Sequence, residues 1–150
     1  MFSLPLAIPL KREGEAGAMM ASLDSTPKPM ILIVDDDSAV RNSLKFVLNL
    51  EGFRVRLYPS GRELLTETDI PGFGCLVIDY NLRGMNGLDL LAELRRRRIA
   101  MPAILITTYP SPTVRERAAV AGAQVIEKPL LNEALFHGIR AALADLSGSI

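Results

Sequence analysis

From residue 30 onward the apolar and polar positions follow two alternating rhythms. Ile31 to Val34 is an unbroken branched apolar run, of strand length and too short for a helix. Val40, Leu44, Val47 and Leu48 then recur at helical spacing and stop near Gly52. Phe53 to Tyr58 alternates as a strand with one polar side does, which predicts an edge position. Ser60 followed by Glu63 reads as a capping box that opens a short helix running to about Glu67. Cys75 to Asp79 is a second buried-type run, and Leu88, Leu91 and Leu94 mark a third helix that closes in Arg95 to Arg98. Ala103 to Thr107 predicts a fourth strand, Thr113 to Ala121 a short helix stopped by Gly122, and Gln124 to Glu127 a fifth strand. Leu135, Ile139, Leu143 and Leu146 give the last helix one apolar stripe.

Five strands alternating with five helices predict an α/β domain whose parallel sheet is covered on both faces. Strands one, three and four are apolar throughout and belong in the middle. In such sheets ligands bind beyond the carboxyl ends of the strands, where the strand order reverses. The residues at those ends are therefore the informative ones. Strand one runs into Asp35, Asp36 and Asp37, strand three ends in Asp79, strand four in Thr107, and Lys128-Pro129 follows strand five. Two carboxylates about 4 Å apart repel by roughly 4 kcal/mol at an effective dielectric near 20, so a positive partner is required. Hard oxygen donors at one edge suit Mg²⁺, which takes a few carboxylates and keeps several waters. A lysine and a hydroxyl alongside suit an added phosphoryl group. Asp37, just before Ser38, belongs to the start of the first helix rather than to the metal.

Composition narrows the classes. Basic and acidic residues balance at 17 each, which gives no bias toward nucleic acid or a membrane surface. Arg95 to Arg98 reads as a solvated helix end. One cysteine, Cys75, excludes an intramolecular disulfide framework, fits a cytoplasmic setting and reads as a small core residue. The lone His137 falls on the outer side of the last helix. Residues 1–29 read as a flexible tail, with 30–150 as the domain. Phe2 to Leu10 is apolar but broken by Pro5 and Pro9, and its charges Lys11 and Arg12 follow it, the reverse of a secretory signal. Met19 or Met20 would serve as alternative starts.

Together, ILIVDDDSAVR, CLVIDYNLRGMNGLDLL, AILITT and VIEKP, in that order, resemble the receiver domains of bacterial two-component response regulators over roughly Met30 to Leu146. That resemblance implies a flavodoxin-like (βα)5 doubly wound parallel sheet with strand order 2-1-3-4-5. It implies that Asp79 is the phosphoacceptor, and that Asp35 and Asp36 hold Mg²⁺, with Asp36, Asp79 and the backbone carbonyl of Asn81 as ligands. It further implies that Thr107 is the switch hydroxyl and that Lys128 pairs with the phosphoryl group. The partners would be a sensor histidine kinase or a histidine phosphotransfer protein, a downstream protein target, and a second copy in a homodimer. The expectation is a stand-alone switch, without direct DNA binding, membrane attachment or enzymatic turnover beyond its own phosphorylation and dephosphorylation.

Three positions depart from the family pattern. Arg83 stands where a proline is usual, Thr108 where Gly or Ala is usual, and Val125 where a movable aromatic ring is frequent, with Tyr109 the nearest alternative ring. These departures motivate a second reading, a receiver-like binding module that is not phosphorylated. A third reading takes Asp35 as nucleophile and Asp37 as general acid of a haloacid-dehalogenase-type phosphatase. It lacks the Gly-Thr usual after that motif, since Ser38-Ala39 stands there.

Overall fold

The computed structural model describes residues 28–148. Most of the expected tail, with both alternative start methionines, lies outside the described residues, as does the side chain of Leu146. Five strands, β1 (Met30–Val34), β2 (Arg54–Tyr58), β3 (Gly74–Asp79), β4 (Ala103–Thr107) and β5 (Ala123–Glu127), alternate with five helices. The helices are α1 (Ser38–Leu50), α2 (Gly61–Leu65), α3 (Gly87–Arg96), α4 (Pro112–Val120) and α5 (Asn132–Gly148). All strand pairs are parallel and the order is β2-β1-β3-β4-β5. The fold is thus the flavodoxin-like doubly wound sheet, with the three fully buried strands central and the polar-sided β2 at one edge.

Strand periodicity divides the core in two. Ile31 and Ile33 of β1, Val77 of β3 and Ile104 and Ile106 of β4 face α1 and α5, where they meet Leu44, Leu48, Leu135 and Ile139. Leu32, Val34, Leu76, Ile78 and Leu105 face the other way, onto Leu64, Leu88, Leu91 and Leu94 of α2 and α3. Fully burying one such side chain stabilises the fold by about 1.5–3 kcal/mol, so the two layers supply most of its stability. Cys75 is buried in the first layer, and burial pushes its thiol up to about 12, which keeps it inert.

Helix starts follow the local chemistry of single side chains. Asp37 accepts from the N–H groups of Ala39 and Val40 at 2.9 and 3.2 Å. Ser60, Asn86 and Ser111 cap α2, α3 and α4 in the same way. The short α2 ends at Leu65 rather than near Glu67. Thr66 turns its hydroxyl onto the Glu63 carbonyl, and Glu67 instead accepts from the Tyr58 hydroxyl at 2.8 Å.

The last turn of α3 is stapled from the side by Arg95. Its guanidinium, half-buried, donates to the carbonyls of Ile99, Met101 and Ala121, each at 2.7 Å. Next to it, α4 is held differently from the other long helices. Ala118 is its one buried side chain, and exposed ion pairs join Arg117 to Asp89 of α3 and Arg115 to Glu127 of β5, both at 3.2 Å. No described helix is long and apolar enough to cross a membrane.

One contact sets how closely β1 and β3 approach. Gly74 pairs with Met30, and a β-carbon there would lie 1.9 Å from the Met30 carbonyl oxygen. Gly74→Ala is expected to destabilise the fold by about 1–3 kcal/mol or more, because strand backbone must shift. Gly72→Ala, in open space two residues earlier, is expected to change stability by less than about 0.5 kcal/mol. Urea unfolding midpoints of the two variants test the pair.

Candidate functional site

The β1–β3 register builds the centre of the site. Val34 stands opposite Ile78, so the next residues, Asp35 and Asp79, emerge side by side at the carboxyl edge. This edge is also where the strand order reverses, since β1 has β2 on one side and β3 on the other. Both aspartates are buried, at 7% and 5% exposure. Burying ionised carboxylates is costly unless each is paired or hydrogen-bonded.

Asp79 is compensated directly. The Lys128 ammonium lies 3.2 Å from each of its carboxylate oxygens, and the Asn81 N–H donates to Oδ1 at 3.2 Å. Lys128 is brought there by β5, whose continuation is fixed when the Lys128 N–H donates to the Thr107 carbonyl at 2.9 Å. The Lys128–Pro129 peptide is cis. Behind Asp79, Gly87 allows α3 to start against the strand end. A β-carbon at position 87 would lie 2.5 Å from the Asp79 carbonyl oxygen, and the Gly87 N–H closes the intervening loop by donating to the Tyr80 carbonyl at 2.8 Å.

Asp35 is compensated less fully. It accepts from the Asp37 N–H at 2.9 Å, while Arg41 donates to its backbone carbonyl at 2.7 Å. Burial raises its pKa above the ordinary carboxylate value, with repulsion from Asp79 and Asp36 adding to the rise. The Asp37 N–H and the charge of Lys128 offset part of it. Asp36 is more open and has the Arg83 guanidinium for company, Nε to Oδ2 at 3.7 Å.

These side chains line a hollow of about 670 Å³ between α1 and the segment after β5. Asp35, Asp36, Asp37 and Asp79 all border it, with Asn81 and one ammonium, that of Lys128. Such an excess of hard anionic oxygen fits Mg²⁺, which is held by one or two carboxylates together with water. Among the described residues no three acidic, histidine or cysteine side chains converge as a closed metal cage would require. The donors expected from the sequence, Asp35, Asp36, Asp79 and Asn81, all border this one hollow.

The remaining sequence candidates fall at or around this hollow. Thr107 is buried at the end of β4 beside Lys128, and Ile106 rather than Thr107 borders the hollow. Asp37 is spent on the helix cap, which leaves it poorly disposed to act as a general acid. Val125 packs against the α3 layer, Tyr109 stands 88% exposed, and His137 is exposed on α5. Sequence reasoning passed over Arg41 and Gly87. The first could have been suspected as a basic residue one turn into a helix that follows an acidic run. The second could have been suspected from the Asn86-Gly87 pair so soon after Asp79.

Comparison with known proteins adds an independent line. A family model described as the response regulator receiver domain matches residues 31–140. Transcriptional regulatory protein FixJ of Bradyrhizobium diazoefficiens is 30% identical over 119 residues, covering 79% of this chain and 58% of that protein. FixJ of Rhizobium meliloti is 35% identical over 115 residues, covering 76% and 56%. A solved response regulator receiver domain protein (CheY-like) from Methanospirillum hungatei superposes with a TM-score of 0.76 at 31% identity, covering 83% of this chain and 100% of that one. The chain spans little more than half the length of these two FixJ relatives.

The charge balance at Asp35 has a measurable consequence. A carboxyl whose folded pKa lies above its unfolded one favours the fold below the ordinary value of 3.8 and costs stability as pH rises through the folded value. Asp35→Asn keeps the acceptor for the Asp37 N–H and removes the charge. In magnesium-free buffer at pH 7 its thermal midpoint is expected to exceed that of the wild type by a few degrees, and the gap should close as pH falls toward 4. Thermal melts across that range check both the sign and the window.

Proposed function

The chain belongs to the response regulator receiver domain family, and from that premise we propose that it is a phosphorylation switch with Asp79 as acceptor. The observation that carries the reading is the contact of the Lys128 ammonium, at 3.2 Å, with both oxygens of a buried aspartate at the switch point of the sheet. In the proposed reaction a carboxylate oxygen of Asp79 attacks the phosphorus of a phosphohistidine on a sensor kinase or histidine phosphotransfer protein. The new O–P bond forms as the P–N bond breaks, and the imidazole leaves with its electron pair and takes up a proton. Lys128 then trades its contact with the carboxylate for one with the transferred phosphoryl oxygens. Mg²⁺, when bound, would neutralise charge on the transferring group. Asp35 and Asp36 would hold it, together with Asp79 and the Asn81 carbonyl. Thr107 would supply a hydroxyl to the phosphorylated state by turning from its buried position.

In this reading the domain signals rather than turns over substrate. Its output passes through contacts with a protein target, a second copy of itself, or onward phosphotransfer, in the cytoplasm. The relatives named above as transcriptional regulators are longer than the matched region, and this chain's own target is part of the proposal.

Two substitutions test the assignment. Asp79→Asn should take up no phosphoryl group from acetyl phosphate with Mg²⁺ under conditions where the wild type gains one by intact mass. Lys128→Ala should slow that uptake on the order of a hundredfold, the usual effect of losing one charge-stabilising group. Uptake by Asp79→Asn equal to wild type would refute the acceptor assignment. Absence of uptake by the wild type itself, with beryllofluoride also failing to bind, would favour the unphosphorylated binding module.

A further inference from the structure

The hollow has more cationic company than its lining shows. Arg83 lies in the loop between β3 and α3, four residues beyond Asp79, with its side chain 90% exposed. Its Nε lies 3.7 Å from Asp36 Oδ2. This is a charge contact longer than a hydrogen bond, between an exposed guanidinium and a carboxylate that is itself 28% exposed. Such a contact is easily displaced, because water solvates a released arginine well and the pair has no directional bond to lose. Among the described residues, Asp36 lacks the backbone donor that serves Asp35 and the ammonium that serves Asp79. Arg83 is the ion-pair partner that the structure gives it.

We propose that Arg83 is a built-in competitor for the divalent cation, occupying the Asp36 carboxylate whenever the ion is absent and thereby setting the Mg²⁺ concentration at which the site fills. The proposal rests on the reading of Asp36 as a metal-holding carboxylate. Two cations of unequal strength share one anion. The divalent ion gathers two or three carboxylates at once and wins at sufficient concentration, while the monovalent guanidinium is tethered and always present. The loop favours this arrangement. Gly84, with φ +89°, turns the backbone just after Arg83, and the Gly87–Tyr80 hydrogen bond closes the loop that carries it. A proline or alanine at position 83 would leave Asp36 open to the ion at all times.

The test is a magnesium titration of the full chain by calorimetry. It compares wild type with Arg83→Gln, Asp36→Asn and Arg96→Gln, the last making the same charge change at the far end of α3. At low salt Arg83→Gln should bind Mg²⁺ about two- to fivefold more tightly than wild type, the range expected for loss of an exposed ion pair. Arg96→Gln should match wild type. The gap should close near about 1 M salt, where the screening length falls to about 3 Å. Equal or weaker binding by Arg83→Gln, or equal tightening by Arg96→Gln, would overturn the proposal while a wild-type response abolished by Asp36→Asn upheld the metal site. No magnesium response in wild type and Arg83→Gln alike would overturn the metal-site reading, and the proposal with it.

Discussion

Like charges held close together at the rim of a hydrophobic sheet govern this molecule. The register that packs Val34 against Ile78 also forces Asp35 and Asp79 to emerge as neighbours, so the apolar core cannot form without assembling the anionic cluster. The fold accommodates the resulting repulsion by graded means. Asp79 receives an ammonium and a backbone N–H, Asp35 receives a backbone N–H, and Asp36 stays nearest to water with a loose guanidinium. Compensation is thus fullest where the aspartate is most deeply buried. The raised pKa of Asp35 marks where compensation falls short.

That incompleteness has functional meaning. A cluster neutralised by its own protein would have little affinity for a cation or for a group that arrives with one. A cluster left short of positive charge keeps part of its binding energy in reserve for the ligand, at a cost in stability of the ligand-free state.

Much of this was legible in the sequence, and for identifiable reasons. The central strands announced themselves because both their faces are buried, which leaves no polar position to break the apolar run in β1, β3 or β4. The polar alternation of β2 placed it at an edge for the same reason. Asp35, Asp79 and Lys128 could be read as convergent because parallel strands bring their carboxyl ends to one side whatever lies between them in the chain. Less legible were features fixed by distance rather than by type. The short reach of α2 depended on where Thr66 and Glu67 found partners, and the role of Gly87 on how near a helix start comes to a strand end. Thr107 shows the limit from the other side. Its residue type and its place at the end of β4 were readable, whereas its depth, 3% exposed, depends on packing that the sequence does not display.

The sparse attachment of α4 bears on how news of events at Asp79 would spread. A helix anchored by one buried alanine, the half-buried Val114 and two solvent-washed ion pairs has little hydrophobic area to surrender on leaving its seat. Its neighbour α3 is fastened by four leucines and an arginine staple. A lightly held segment of the described structure therefore begins a few residues downstream of Thr107. A small rearrangement at that strand end would be spent on swinging a light segment, while the heavy layers on either side of the sheet stay where they are.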